Sequence, residues 1–429
     1  MMKIAHIVNQ FPPNITAGLG RYVERIIPLM AGPLRLSVFT LNDGRLPVHE
    51  ETGGVTVYRP LGRVLGGISR RRRLNRTRRV DFVLLVLNVV TSNWRYVLRL
   101  WSAGRDGRPD LVAVHDSTNF LAGLLCHYLL RLPVVLHLHT TEYGVDRPRG
   151  ALSGLSPFPV IERWLARIAQ RVVVCTPEVR DRLAAAGWDR QTIEVVCLGG
   201  TFERLPAEGG LDRDELRADA ADLRARLGIA AADPVLLFVG RIERQKGVYE
   251  LLEAMRTIVD AVPGTTLVIV GEGDEAGVRR IVADTGLAGR VRTSGGWVER
   301  PALLRYYEMA DICVFPSLFE PFGLVATEAM AMARPTILGH GFSRIFLGDP
   351  ARPAVRFIRG SDSDDIARTV IELMADPAAR GALAERGERF VRDRLSWARA
   401  ADETLAVYRA VLAAQRSAPG ECGHRRNPH

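Results

Sequence analysis

Val235-Leu-Leu-Phe-Val-Gly-Arg-Ile-Glu-Arg-Gln-Lys-Gly247 is a short apolar run, broken by Gly240 and followed by a loop that carries Arg241 and Lys246. Five apolar residues bounded by a turn signal read as a fully buried strand, the kind found inside a parallel sheet. The helix-forming residues that follow Gly247 complete a strand-loop-helix unit. The same unit recurs in both directions. Upstream, strands are expected at Lys3 to Val8, Leu36 to Leu41, Leu111 to Val114, Val134 to Leu138 and Arg171 to Cys175. Downstream they are expected at Thr266 to Val270, Val291 to Thr293, Ile312 to Phe315 and Thr336 to Leu338. Strands alternating with helices mean parallel α/β sheets.

A chain of 429 residues is long for one core, and the strand pattern restarts after the charged helical segment Leu211 to Leu227, so two Rossmann-like halves are expected. The expected divisions are an N-terminal domain 1–205, a C-terminal domain 206–390, a helical region 391–415 and a disordered tail 416–429. With 47% hydrophobic and 25% charged residues, the chain is a globular protein able to bury large cores. The five cysteines are scattered without metal-ligand spacing, so a reducing compartment and no structural metal are expected. No apolar stretch reaches the roughly 20 residues that span a bilayer, which points to a cytoplasmic protein with peripheral attachment to the inner membrane face left open. The formal charge of +10 favours anionic partners. Only Lys3 and Lys246 among the 58 basic residues are lysines, so the excess is largely an arginine bias. Against that background a lysine at 246 marks a place suited to a compact ammonium.

Arg241 and Lys246 on one loop at a strand's C-terminal end suit a pyrophosphate, Arg by its planar fork and Lys as a point charge. Solvated loop charges are the plain alternative. A second stretch, Pro316-Ser-Leu-Phe-Glu-Pro-Phe-Gly-Leu-Val-Ala-Thr-Glu-Ala-Met330, reads as strand, turn and helix, with Glu320 in the loop and Glu328 in the helix. Glu328 is placed about 9 Å along the axis, comparable with the span between sugar and ribose when a diphosphate rests on the helix N-terminus.

Gly-Arg-x4-Lys-Gly at 240–247, Glu-x7-Glu from Glu320 to Glu328 and the run Glu328-Ala-Met-Ala-x3-Pro335 together resemble the retaining family-four glycosyltransferases of the GT-B fold, the glycogen synthase-like group 1. In the first half, Gly18-Leu-Gly20 resembles that family's Gly-rich loop, Asp110 to Asp116 its Pro-Asp-x4-His segment, and His139 its histidine beside the donor sugar. The resemblance implies two Rossmann-like domains facing across a cleft and transfer of a sugar from a nucleotide diphosphate with retained configuration. It implies no metal and no cofactor, the nucleotide sugar being a co-substrate. By the same analogy Arg241 and Lys246 neutralise the leaving diphosphate, and Glu328 binds ribose. Glu320 with the backbone of Phe322, Gly323 and Leu324 holds the sugar, Gly296 and Trp297 read the base, and Gly18 and Gly20 line the donor site. His139 contacts the sugar near the reacting centre. The chain departs from the family at Leu198-Gly-Gly-Thr-Phe202, at Gly339-His-Gly-Phe-Ser343 and at Ala333, where glycine is common.

Two features bear on the acceptor. His115, Asp116, Glu142 and Asp146, with Asp43, fall at the first domain's strand ends and would gather acidic groups there, which suits a small polar or amine-bearing acceptor. With the arginine bias, this is similar to the transferases of aminoglycoside assembly, whose acceptor is an aminocyclitol such as 2-deoxystreptamine, with UDP-N-acetylglucosamine or UDP-glucose as the favoured donor. Against it stands Arg59 to Arg79, with nine arginines and no acidic residue, ahead of apolar Phe82 to Val90. That suits an anionic membrane and a lipid acceptor of the phosphatidylinositol mannosyltransferase kind. A catalytically silent partner protein of the same fold is a third reading, opposed by the intact Arg241, Lys246, Glu320 and Glu328. Nucleic acid is not expected as a partner.

Overall fold

A computed structural model describes residues 1–15, 18–42, 44–60, 78–141, 158–200 and 212–417. The chain divides into two compact units, one of Met1–Cys197 with the chain from Trp397 onward, the other of Leu198–Ser396.

The first unit is an eight-stranded sheet of β1 (Met2–Ile7), β2 (Leu34–Phe39), β3 (His49–Thr52), β4 (Val55–Tyr58), β5 (Leu111–His115), β6 (Val134–Leu138), β7 (Arg171–Val174) and β8 (Ile193–Val195). Their order across the sheet is β3-β4-β2-β1-β5-β6-β7-β8, parallel apart from the β3–β4 pair. Its helices are α1 (Gly18–Met30), α2 (Arg78–Ser102), α3 (Phe120–Tyr128), α4 (Phe158–Ile168) and α5 (Pro177–Ala185). Because side chains alternate along a strand, Ala5, Ile7, Val112, Val114, Leu136 and Leu138 share one face, packed under Tyr96, Val97 and Leu100 of α2, Ala122 of α3 and Leu165 of α4. His6, His115 and His137 point to the opposite face, where α1 lies against the chain's last helix.

The second unit is a parallel sheet of β9 (Val235–Val239), β10 (Thr266–Val270), β11 (Val291–Thr293), β12 (Ile312–Phe315), β13 (Thr336–Gly339) and β16 (Arg356–Ile358), in the order β11-β10-β9-β12-β13-β16. A two-stranded ribbon, β14 (Gly348–Asp349) with β15 (Arg352–Pro353), stands apart from it. Helices α6 (Arg213–Arg226), α7 (Val248–Ala261), α8 (Glu275–Asp284), α9 (Arg300–Met309), α10 (Leu324–Ala331), α11 (Ser363–Ala375) and α12 (Pro377–Arg394) complete the unit. Leu236, Phe238, Leu267, Ile269, Ile312 and Ile337 meet α7 and α11 in one buried core. Asp212, Asp274, Asp362 and Asp376 accept backbone N–H bonds at the starts of α6, α8, α11 and α12, supplying partners that the first helical turn lacks.

Several expectations shift. The boundary falls at Cys197 and Leu198 rather than at 205, and the last helix, α13 (Trp397–Ser417), belongs to the first unit instead of forming a region of its own. The β3–β4 hairpin was not anticipated, because β3 is polar and largely exposed and its register rests on Gly53 and Gly54, both at positive φ. Arg59 is not a surface charge. It is 1% exposed, and its guanidinium donates to Glu50 Oε2 at 2.6 Å and to the Pro12 carbonyl at 2.9 Å. Residues 61–77, Asp43, Glu142, Asp146 and the tail from 418 lie outside the described residues.

Candidate functional site

In the second unit the strands' C-terminal ends bring together most of the expected donor residues. After β9 the chain makes one short turn, Arg244–Lys246, and closes it at Gly247 with φ +70°. A Cβ there would lie 2.2 Å from the Pro316 carbonyl oxygen, so only glycine lets this loop sit against the exit of β12. Leu318 N–H donates to the Gln245 carbonyl at 2.9 Å and locks the two loops together. The consequence is an ion pair that sequence spacing cannot show: Lys246 Nζ lies 2.5 Å from Glu320 Oε2, both side chains being largely buried.

Glu320 is held from below by its own N–H, which donates to the Gly341 carbonyl at 3.0 Å. Gly341 therefore has a role in the segment that departs from the family pattern, since a Cβ on it would meet Leu318 C at 2.3 Å. Gly323, at φ +89°, turns the chain into α10, and a Cβ there would strike the Phe342 ring at 2.2 Å. Phe322 is buried against Phe346, so its side chain anchors the loop and only its backbone is left for a ligand. Leu324 opens α10, whose first-turn N–H groups have no partner within the helix. Ala333 takes φ +52° just past that helix, the left-handed position at which glycine is common.

Arg241 is mostly exposed and lies 2.9 Å from Glu243. Gly271 ends β10, with no room for a Cβ beside the Gly240 carbonyl 2.0 Å away. Its N–H donates to Ser294 Oγ at 3.2 Å, and the Ser294 hydroxyl donates to the Gly296 carbonyl at 2.7 Å. Gly296 thus sits at the mouth of β10 and β11 with the exposed Trp297 beside it.

Glu328 is corrected in two respects. The helix starts at Leu324, so Glu328 lies four residues in, about 6 Å along the axis rather than 9 Å. Its side chain is only 9% exposed, and Oε2 accepts the Tyr307 hydroxyl at 2.8 Å. Burial and the neighbouring carboxylate hold the Tyr307 hydroxyl well above its ordinary pKa, which keeps it a donor. Tyr307→Phe removes this hydrogen bond from a buried carboxylate, and a loss of about 1–3 kcal/mol is expected, read as a lower denaturation midpoint.

The first unit holds an arrangement that was only half anticipated. His115 ends β5 opposite His137 of β6, and His139 follows two residues later on the same side. His6 of β1 joins them. Its Nδ1 lies 3.0 Å from His115 Nε2, and His115 Nδ1 lies 3.0 Å from His139 Nε2. Ring centroids in both pairs are 5.3 Å apart, which is the N···N distance plus a ring radius at each end, so the three imidazoles run head to tail. His137 stacks on His115 at 4.6 Å, with Tyr408 of α13 at 2.8 Å from its Nε2. Tyr22 of α1 packs its ring 4.6 Å from that of His139.

Among the described residues, His115, His137 and His139 are the one group of three whose ligand atoms fall within 4.8 Å of one another. Two nitrogens sharing a tetrahedral zinc stand about 3.3 Å apart with both lone pairs turned to the ion. His115 and His139 instead face each other at 3.0 Å, a hydrogen-bond distance. Burial pushes all four imidazoles down, His6 and His139 to about 3, so they are neutral and each carries one proton. His6 Nε2 is buried with no partner. A lone pair without a donor is tolerated better than an N–H without an acceptor, which puts the His6 proton on Nδ1. The chain then runs His6 to His115 to His139, and His139 is left with its proton on Nδ1.

Asp116 is likewise engaged. Its Oδ1 accepts the N–H groups of His139 at 2.9 Å and Thr140 at 3.4 Å, while burial raises the carboxyl to about 6. It fixes the loop that carries His139. Gly20 lies within α1, where a Cβ would meet Ile15 Cγ2 at 2.7 Å, and Gly18 begins that helix. His6, His137, Tyr22 and Tyr408 were missed: each histidine is a single polar residue in an apolar strand, and each tyrosine, next to Arg21 or Arg409, reads as an ordinary position on an amphipathic helix.

A family model described as "Glycosyl transferases group 1" matches residues 219–390, and one described as "Glycosyl transferase 4-like domain" matches residues 17–199. The D-inositol 3-phosphate glycosyltransferase of Thermomonospora curvata is 30% identical over 328 residues, covering 73% of this chain and 74% of that protein. The chain belongs to the family-four glycosyltransferases. Glycogen synthase of Mycobacterium tuberculosis is 29% identical over 437 residues, 97% of this chain and 96% of the relative. Among solved structures, sucrose-phosphate synthase from Thermosynechococcus elongatus matches with a TM-score of 0.74 at 24% identity, covering 96% of this chain and 100% of that one. The catalytic domain of starch synthase IV from Arabidopsis thaliana, bound to ADP and acarbose, matches with a TM-score of 0.72 at 17% identity, covering 96% and 99%. The fold is GT-B, and this family-four glycosyltransferase is a transferase enzyme that draws on a nucleotide sugar. No helix among the described residues is long and apolar enough to cross a membrane.

Proposed function

We propose that this glycosyltransferase moves a hexosyl group, with retained anomeric configuration, from a uridine diphosphate sugar to a hydroxyl of a polar acceptor. The observation that carries the reading is the Lys246–Glu320 pair lying beside the start of α10 at the strands' C-terminal ends. As the sugar–oxygen bond breaks, negative charge collects on the leaving diphosphate. Lys246, Arg241 and the N–H groups of α10 answer it without a metal ion. Glu320, fixed by Lys246 and Gly341, is aimed at sugar hydroxyls, and Gly296 and Trp297 at the base. His139, with its proton on Nδ1, is a donor to a sugar oxygen rather than a base. The acceptor hydroxyl's proton then passes to a diphosphate oxygen.

Asp116 is a weaker candidate for a cationic acceptor than its position in sequence suggests, since its Oδ1 is engaged by the backbone N–H groups of His139 and Thr140. An aminocyclitol such as 2-deoxystreptamine then rests on Asp43, Glu142 and Asp146, which lie outside the described residues. A membrane-presented acceptor is the second reading, favoured by the exposed apolar stripe of Leu87, Val90, Trp94, Leu98 and Trp101 on α2. The test is product formation from UDP-glucose, UDP-N-acetylglucosamine, ADP-glucose and GDP-mannose, with and without EDTA, with the product anomer read by NMR. Full activity in EDTA and a retained anomer are expected. Activity abolished by EDTA and restored only by Mg²⁺ or Mn²⁺, or an inverted anomer, overturns the mechanism.

A further inference from the structure

Of the thirteen large hydrophobic residues that are exposed among the described residues, nine sit on three neighbouring helices of the first unit: α2, α4 and the end of α3. On α2 they are Leu87, Val90, Trp94, Leu98 and Trp101, spaced by three and four residues and therefore in one stripe along the helix. The opposite side of α2, with Tyr96, Val97 and Leu100, is buried on the sheet. The stripe is thus surplus to the core. α3 packs against α2 on one side and α4 on the other, and it brings Tyr128 and Leu129 at its end. α4 adds Val160 and Trp164. Trp101 is 62% exposed and Trp94 and Trp164 are each 48% exposed.

Among the described side chains of these helices every exposed charge is an arginine, Asp81 near the start of α2 being the one acidic residue of that helix in sequence. Arg95 and Arg99 on α2, Arg131 just past α3 and Arg167 on α4 are exposed. The only acidic residue of α3 and α4, Glu162, is buried and accepts the Thr141 hydroxyl. Ahead of α2, residues 61–77 add six arginines and no acidic residue in sequence. Tryptophan and tyrosine rings are most favourably placed at the boundary between hydrocarbon and headgroups, and arginines beside them pair with anionic headgroups. A protein partner would also accept an apolar stripe, but it would not call for a flank so dominated by arginine.

We propose that the outward face of α2, α3 and α4 docks on the surface of an anionic lipid bilayer, lying in the interface rather than crossing it. This goes beyond the donor chemistry proposed above and does not depend on it. Docked in this way, the first unit holds the enzyme at the membrane while the second unit carries the donor-binding residues.

The test is co-sedimentation of the full chain with vesicles of phosphatidylcholine alone and of phosphatidylcholine with 30% phosphatidylglycerol, at low and at high salt. Binding to the anionic vesicles is expected, weakened at least about tenfold by high salt because exposed charges are screened. Trp94→Glu/Trp101→Glu should cut the partition coefficient at least about tenfold, and Trp94→Ser/Trp101→Ser should cut it less. Both variants should keep the wild-type melting temperature and UDP-sugar affinity, since these side chains point away from the core. Three results overturn the proposal: no binding to anionic vesicles at low salt, equal binding to neutral vesicles, or undiminished binding by the Trp94/Trp101 variants. A dimer in light scattering that those variants convert to monomer overturns it too, because the face would then belong to a second copy of the chain. UDP-sugar titration reports separately on the donor reading, so either conclusion can fail alone.

Discussion

Lys246→Ala will lower kcat/KM by about 10²- to 10³-fold, the effect of losing about 2.7–4 kcal/mol of preorganised charge stabilisation in the transition state. Lys246 and Glu320 are largely shielded from solvent, so their mutual field is little screened and the ammonium cannot be replaced by bulk cations. Glu320→Gln should hurt less than Lys246→Ala, because the amide keeps a hydrogen-bond acceptor beside the ammonium and removes only the charge. Arg241→Ala should also slow the reaction. Its side chain is mostly exposed and shared with Glu243, so its effect belongs at the lower end of the range. The measurement is kcat and KM with donor titration, alongside melting curves that show the variants folded. Near-wild-type kcat/KM in both Lys246→Ala and Arg241→Ala would refute the donor-site assignment.

The first unit will lose stability steeply on acidification. His6, His115 and His137 are almost wholly buried, and burial holds their pKa below the ordinary 6.5. Below pH 6.5 the unfolded chain therefore binds protons that the folded unit refuses. Stability is fully present above that pH and is lost as pH falls toward about 3, where His6 itself would charge. Each such imidazole costs about 1.4 kcal/mol per pH unit, so three cost about 4 kcal/mol per unit against a typical total of about 5–15 kcal/mol. Asp116 acts in the opposite direction. With its carboxyl raised to about 6, it favours the folded unit as pH falls, but it is one group against three. Thermal unfolding followed by circular dichroism from pH 7.5 to 4.5 should show the midpoint collapsing between pH 6 and 5. His6→Leu should reduce the pH slope by about one proton. A midpoint unchanged between pH 7.5 and 5 would mean that the imidazoles are reached by water in the folded state.

The strands of both units were readable because a buried parallel strand must be a short apolar run: nine of the ten expected ranges match within one residue at each end, five of them without adjustment. Val134–Leu138, Val235–Val239, Thr266–Val270, Val291–Thr293 and Ile312–Phe315 are those five. The edge elements β3, β8 and β16 and the inner strand β4 were not; β3 is polar throughout, and β8 and β16 each set one charged residue among only two apolar ones. Glu328 was placed correctly in a helix but too far along it, and its bond to Tyr307 was not foreseen, because helical spacing says which residues share a side and not what covers them.

The sequence by itself determined the two α/β units, the donor loop at 240–247 and the glycines that make it, because each rests on sterics between residues close along the chain. Gly247 and Gly323 are legible in this sense: a turn at positive φ favours glycine, and the contacts with Pro316 and Phe342 that make it necessary appear only in the fold. What only the tertiary structure decided are contacts made across sequence distance: the Lys246–Glu320 pair, 74 residues apart, and Tyr408 on His137, 271 residues apart. The imidazole chain belongs with them. It exists because β1, β5 and β6 lie side by side in register and α13 returns to cover them, and register between strands is set by the whole sheet's packing.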